Sequence, residues 1–108
     1  MNFTEYQMKS NMTAIYPDGK ALEYLCLGLA SEAGEVAGKL KKIIRDNNSE
    51  ITDESRFSLS SELGDVLWYI SQLALELNIP LDVVAHENII KLQSRMDRGK
   101  ISGSGDVR

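Results

Sequence analysis

The sequence has few of the residues that crosslink a chain or bind transition metals. Its 108 residues include one Cys and one His, and aromatic residues make up only 6% of the chain. A single Cys excludes an intramolecular disulfide and fits a reducing compartment, and Cys26, within an apolar segment, is predicted to pack rather than react. A di-iron helical bundle is excluded because it needs two Glu-x-x-His pairs.

Long apolar runs and a basic excess are also lacking. No stretch approaches the about 18 apolar residues of a membrane span, and the N-terminus has no basic segment before an apolar core, so a cytoplasmic protein is expected. The net charge of −4 disfavours a nucleic-acid-binding surface. A chain of 108 residues with 43% hydrophobic residues makes one small domain with a thin core. Self-association as a homodimer or homotetramer is therefore expected.

The apolar periodicity predicts an all-α fold of four main helices in an antiparallel bundle. The polar stretch around Asn48 and Ser49 breaks this pattern and predicts a turn between the second and third helices. Asn2 or Thr4 is expected to cap the first helix, and Asp53 or Ser55 the third. The predicted helices span residues 2–11, 20–45, 56–78 and 80–98, which places the domain at 1–98 and a glycine-rich tail at 99–108.

One eight-residue phrase occurs twice, at 29–36 and again at 59–66. Five of its eight positions are identical, and both copies carry a carboxylate at the fourth and seventh positions. On a helix these acids fall about 60° and 120° to the same side of the apolar stripe in both copies. The four acids are Glu32, Glu35, Glu62 and Asp65.

The repeat predicts that these acids meet at one divalent-metal site. In a hairpin centred near Asn48 and Ser49, Gly34 and Gly64 lie level, and each leaves room for a close approach. Four clustered carboxylates repel one another without a cation, and hard oxygen ligands favour Mg²⁺, with Mn²⁺ as a substitute. A single acid pair of this kind would ordinarily be a solvated helix flank, but two pairs in phase favour a site.

Several side chains near the acids are candidate substrate ligands. Lys39 and Lys42 lie on the carboxylate flank, although basic residues also suit the C-terminal end of a helix. Tyr69 occupies the position equivalent to Lys39 and is predicted to stack on a base or to pack at the rim. Trp68 projects opposite the apolar stripe, which favours a subunit interface.

The fourth helix carries a further polar set on one side. Asn88, Lys91 and Arg95 share this side and are predicted either to contact phosphate and sugar oxygens or to serve structural roles. His86 is predicted to be exposed. The glycine-rich tail is a weak phosphate-binding signal on its own. The residues expected to be buried on this helix are Leu81, Ala85, Leu92 and Met96.

With these residues in view, the chain resembles the MazG-like family of all-α nucleoside triphosphate pyrophosphohydrolases. The family signature is Glu-x-x-Glu followed by Glu-x-x-Asp on two helices, and the four acids match it. The likeness extends to residues 63–69, to Asn88 and Lys91 on the last helix, and to the Gly-Ser-Gly-Asp tail. Ser31 departs from the pattern, because many relatives carry an additional Glu there.

The resemblance implies Mg²⁺-dependent hydrolysis of nucleoside triphosphates to the monophosphate and pyrophosphate. The four acids would be metal ligands and catalytic residues, with Glu35 favoured as the general base. Lys39, Lys42, Lys91 and Arg95 would offset the triphosphate charge. Two alternatives stay open: a dUTP- or dCTP-selective enzyme of the same superfamily, and a non-catalytic helical oligomerisation or regulatory module.

Overall fold

The computed structural model describes all 108 residues and contains four α-helices and no strands, which confirms the all-α prediction. Every helix boundary lies within three residues of its predicted position. None of the helices combines the length and apolar character that crossing a membrane requires. The helices are α1 (Phe3–Asn11), α2 (Ala21–Asp46), α3 (Asp53–Glu76) and α4 (Leu81–Asp97).

Helices α2 and α3 form the antiparallel hairpin predicted from the repeat. The turn between them contains Asn48 and Ser49 in the left-handed region, with φ of 53° and 64°. Gly28 lies against Tyr69, and Lys39 contacts Ser58, so the two helices pair symmetrically about this turn. The hairpin therefore brings the two copies of the repeated phrase level with each other.

Side-chain caps set the starts of α1 and α3. Asn2 caps α1 as predicted, because its side chain accepts a hydrogen bond from the Glu5 backbone N–H at 2.8 Å. The cap of α3 is Thr52 rather than Asp53 or Ser55, which corrects the sequence prediction. Thr52 Oγ1 accepts from the Ser55 N–H at 3.1 Å, and Ser55 Oγ accepts from the Thr52 N–H at 2.8 Å. This reciprocal pair satisfies two backbone donors at the helix start.

A buried polar cluster attaches α1 to the rest of the domain. Gln7 donates to the Ile79 carbonyl at 3.1 Å and accepts from the Leu81 N–H at 2.9 Å. The Ser10 hydroxyl lies 3.0 Å from that of Ser71 on α3. Because buried polar groups are costly unless paired, these bonds fix how α1 docks. They also hold the segment after α1 beside α3.

Helix α4 is far more exposed than its sequence pattern predicts. Leu81 is buried as expected, but Leu92 is 39% exposed and Met96 is 64% exposed. Asn88 is exposed too, rather than enclosed in an apolar face. The physical reason is that α4 packs only on α1 and α3 and makes no contact with α2.

Two predictions about polar or reactive positions have different outcomes. Cys26 was expected to pack, but its thiol is exposed because it lies on the side of α2 that no other helix covers. His86 is exposed, as predicted. In the single chain the buried apolar side chains are few, namely Leu25, Ala74 and Leu81.

Candidate functional site

Three of the four repeated acids meet between α2 and α3. Carboxylate oxygens of Glu32, Glu62 and Asp65 all lie within 4.8 Å of one another. Glu32 comes from α2 and the other two from α3, and the antiparallel pairing turns their flanks to the same side. The structure thus brings together acids that lie about thirty residues apart in the sequence.

The fourth acid, Glu35, lies outside this group of three and is exposed. It still acts on the group electrostatically. Burial raises the pKa of Glu32, and the negative charges of Asp65, Glu62 and Glu35 raise it further, as does a hydrogen bond with the Glu62 carboxyl. Such a shift means that the ionised cluster is unfavourable unless a positive charge is added.

Lys39 supplies one positive charge to the cluster. Its Nζ lies 2.6 Å from Glu62 Oε1 and donates to Ser58 Oγ, also at 2.6 Å. Glu62 is only 15% exposed at its side chain, so this ion pair is well shielded from water. Lys42 lies with Lys39 along a neighbouring depression of about 280 Å³. The two lysines therefore extend the site along α2.

The cluster offers the oxygen ligands that a hard divalent cation prefers. Opposite oxygen ligands of Mg²⁺ are separated by about 4.2 Å, twice the usual metal–oxygen distance. The 4.8 Å spread of Glu32, Glu62 and Asp65 exceeds this by roughly half an ångström, which small side-chain rotations can remove. The residues present therefore fit such an ion, which would neutralise the negative charges that, after burial, raise the pKa of Glu32.

Tyr69 lines the acid site and packs against α2. A Cβ at Gly28 would collide with the Tyr69 ring, so this glycine permits the close approach of the two helices. The sequence had suggested room at Gly34 and Gly64 for a helix, an ion or a ligand; no other part of the chain lies within 4 Å of a Cβ placed at either position, so the helices do not approach closely there. Burial raises the pKa of Tyr69, and contact with Tyr24 raises it further.

Trp68 also belongs to the site, which sequence reasoning missed by assigning it to an outer interface. Its indole N–H donates to Thr13 Oγ1 at 2.8 Å, and its ring meets that of Tyr69 edge-on, with centroids 5.0 Å apart. The signal that was available is the spacing of three between Asp65 and Trp68, which makes them neighbours on one helix surface. Thr13 had no comparable signal, because its position depends on how α1 docks.

Asn88 and Lys91 on α4 line a groove that includes none of the four repeated acids. They lie along it with Val83 and Val84, and α4 makes no contact with α2, which carries Glu32 and Glu35. Arg95 is 6% exposed and donates to the Asp106 carbonyl at 2.7 Å, which holds the tail against α4.

Comparisons with known proteins agree with this architecture. The family described as MazG nucleotide pyrophosphohydrolase domain matches residues 20–99, a span that includes all four repeated acids. The chain is also similar to the Gene 37 protein of Mycobacterium phage L5, with 49% identity over 114 aligned residues that cover all of both chains. No solved structure matches the chain significantly.

Proposed function

The chain belongs to the MazG nucleotide pyrophosphohydrolase family, and on that premise we propose that it hydrolyses nucleoside triphosphates, ribose or deoxyribose, to the monophosphate and pyrophosphate with Mg²⁺. The observation that carries the proposal is the cluster of Glu32, Glu62 and Asp65, whose oxygens lie within 4.8 Å of one another. Three carboxylates at this spacing repel one another, which favours a bound cation, and a cation among carboxylates suits a phosphorylated substrate.

In the proposed enzyme, Glu32, Glu62 and Asp65 hold Mg²⁺, or Mn²⁺ as a substitute, with Glu35 beside them. When bound, a divalent ion supplies charge that stabilises the reacting phosphoryl group and makes water more acidic. Lys39 holds Glu62 in place through their 2.6 Å ion pair. The protein's own contribution is thus a fixed set of oxygens whose repulsion the ion relieves.

Glu35 is our candidate for the general base. It lies one helical turn from Glu32 and outside the group of three, so its carboxylate is free to accept a proton. In the proposed reaction a water oxygen bonds to the α-phosphorus while the bond from the α-phosphorus to the bridging oxygen breaks. Pyrophosphate leaves with that oxygen, and the proton of the water passes to the carboxylate.

Positive side chains are proposed to offset the triphosphate charge. Lys39 and Lys42 lie side by side on the acid flank. Tyr69 borders the acid site. Asn88 and Lys91 join the proposed substrate contacts when a second copy brings its α4 to the acids, and Arg95 contributes through the tail that it holds.

The proposed enzyme is a homo-oligomer. A folded monomer of 12.0 kDa is expected to expose about 6,000 Å². This chain exposes 7869 Å², about 1,900 Å² more than that scaling gives. The excess matches what one subunit of an obligate dimer covers, which is on the order of 1,000 to 2,500 Å².

The test is product analysis with each common ribo- and deoxyribonucleoside triphosphate and Mg²⁺. We expect monophosphate and pyrophosphate in equal amounts, and Glu62→Gln is expected to lower kcat/KM at least about 100-fold. Glu54→Gln, an exposed acid on the same helix, is the matched control and should keep full activity. If none of the nucleotides yields pyrophosphate, the proposal fails and the remaining interpretation is a non-catalytic helical module.

A further inference from the structure

One cavity joins the acid cluster to an aromatic surface. Glu32, Asp65, Tyr69, Trp68 and Thr13 line a space of about 310 Å³, within the size range of small-molecule sites. Its lining combines two chemistries, carboxylates and aromatic rings. A nucleotide has the same division, because its phosphates are charged and its base is a flat aromatic ring.

The indole of Trp68 is held in one orientation. Its N–H is bonded to Thr13 Oγ1 at 2.8 Å, and the Thr13 hydroxyl in turn donates to the Ser10 carbonyl at 2.7 Å. The Tyr69 ring abuts it at 80°, an edge-on arrangement that aromatic pairs favour. With its only donor used by the protein, the half-buried indole offers a ligand its π face and nothing else.

Aromatic residues are concentrated at this site although the chain has only seven of them. Tyr16 stacks on Tyr24 with centroids 6.0 Å apart, Tyr24 interacts electrostatically with Tyr69, and the Tyr69 ring abuts Trp68. Four of the seven thus form one continuous row that ends beside the acids. The far end of the row is fixed by Tyr16, whose hydroxyl donates to Glu76 at 2.6 Å.

We infer that Trp68 is the platform on which the nucleoside base stacks while the acid cluster holds the phosphates. This inference rests on the proposed function and deepens it by naming the substrate range. Stacking accepts every base, because each has a π face. The Thr13 hydroxyl is already engaged as donor and acceptor, and the Tyr69 hydroxyl interacts with Tyr24, so the cavity wall offers few groups that could read a base edge. The site therefore accepts purine and pyrimidine triphosphates alike.

A purely structural role for Trp68 makes a different prediction. If the indole only anchors α3 to the segment after α1, its removal lowers stability and weakens every ligand equally. If it is the platform, its removal weakens ligands that carry a base and spares those that do not. Inorganic tripolyphosphate, which has the phosphates without base or sugar, separates the two roles.

The first experiment compares Trp68→Leu with Trp68→Phe in steady-state kinetics. Trp68→Leu is expected to raise KM about 5- to 150-fold for purine and pyrimidine nucleotides while kcat changes little. The inhibition constant of tripolyphosphate should stay unchanged, and Trp68→Phe should restore most of the affinity. Equal weakening of tripolyphosphate, an unchanged KM, or a wild-type enzyme that uses only one base would overturn the inference.

The second experiment needs no variant, because Trp68 is the only Trp in the chain. Adding a non-hydrolysable α,β-methylene nucleotide with Mg²⁺ should quench the intrinsic fluorescence, whereas tripolyphosphate should not. A wild-type enzyme that turns over nucleotides without this quenching refutes the platform and keeps the proposed function. Quenching by nucleotides without any turnover refutes the proposed function and keeps the platform.

Discussion

Glu32 shows how a residue's surroundings decide what it can do. The repeat treats all four acids alike, yet their surroundings differ: the Glu62 side chain is 15% exposed and pairs with Lys39, whereas Glu35 lies outside the group of three and is exposed. Burial raises the pKa of Glu32, and the charges of the other three acids raise it further. Periodicity was sufficient to predict that the acids share a side. It did not predict this inequality, because burial depends on the partner helix and not on local spacing.

The raised pKa gives a prediction about stability and pH. Folded Glu32 binds its proton more tightly than unfolded Glu32, so this contribution to stability is present below the unfolded pKa and is lost as pH rises through the folded pKa. In a chelator, thermal unfolding followed by circular dichroism should therefore show Tm falling as pH rises from the ordinary glutamate range towards neutrality. Glu32→Gln should flatten this fall and raise Tm at neutral pH.

Mg²⁺ should reverse the effect in the wild-type protein, because an ion stabilises the ionised carboxylates that repel one another in its absence. The added Mg²⁺ should raise Tm at neutral pH and have less effect as the acids become protonated. Glu54→Gln serves as the control on an exposed acid. A Tm that rises with pH in the chelator, for Glu32→Gln as for the wild-type protein, would contradict this account.

At the scale of the helices, spacing predicted most of the structure. The order of the four helices, the turn at Asn48 and Ser49, and the Asn2 cap all followed from local chemistry. The Thr52 cap was missed because its partner is Ser55 instead of the Glu or Gln of the usual capping box. The exposure of α4 was also missed, since a helical pattern shows which face is apolar but not what covers it.

The contact between α4 and the tail can be tested by replacing Arg95. Its side chain is buried and its guanidinium donates to the Asp106 carbonyl, so Arg95→Met should cost about 1.5 to 3 kcal/mol of unfolding free energy. Urea denaturation is the measurement. Arg98→Met is the matched control, because Arg98 is exposed and bonds only to the nearby Ser94 hydroxyl. Equal destabilisation by both variants would show that the tail contact contributes nothing specific.

For the whole molecule, the main feature is the large apolar surface that a single chain exposes to solvent. The exposed apolar side chains of α4 point around nearly its full circumference, as expected of a helix that is buried on more than one side. They are Val83, Val84, Ile89, Ile90, Leu92 and Met96. Composition predicted a thin core and self-association, but no sequence pattern identified α4 as the helix left most exposed by its contacts with α1 and α3.

We therefore predict that α4 is covered in the assembled protein. Sedimentation should give a mass that is at least twice the 12.0 kDa of one chain. Ile89, which is 64% exposed in the single chain, should lie in the contact, so Ile89→Glu should raise the dissociation constant at least about tenfold. Ile89→Val keeps the apolar surface and should assemble normally. A wild-type protein that sediments as a single chain at micromolar concentration would refute this expectation.

Because the thiol of Cys26 is exposed, labelling it can be used to count the subunits of the assembled protein. Since each chain carries one Cys, a maleimide dye attached there marks every subunit once, and stepwise photobleaching of single particles then reads the stoichiometry directly. Slow labelling of the assembled protein, with fast labelling after dilution, would further show that the outer side of α2 is covered when subunits come together.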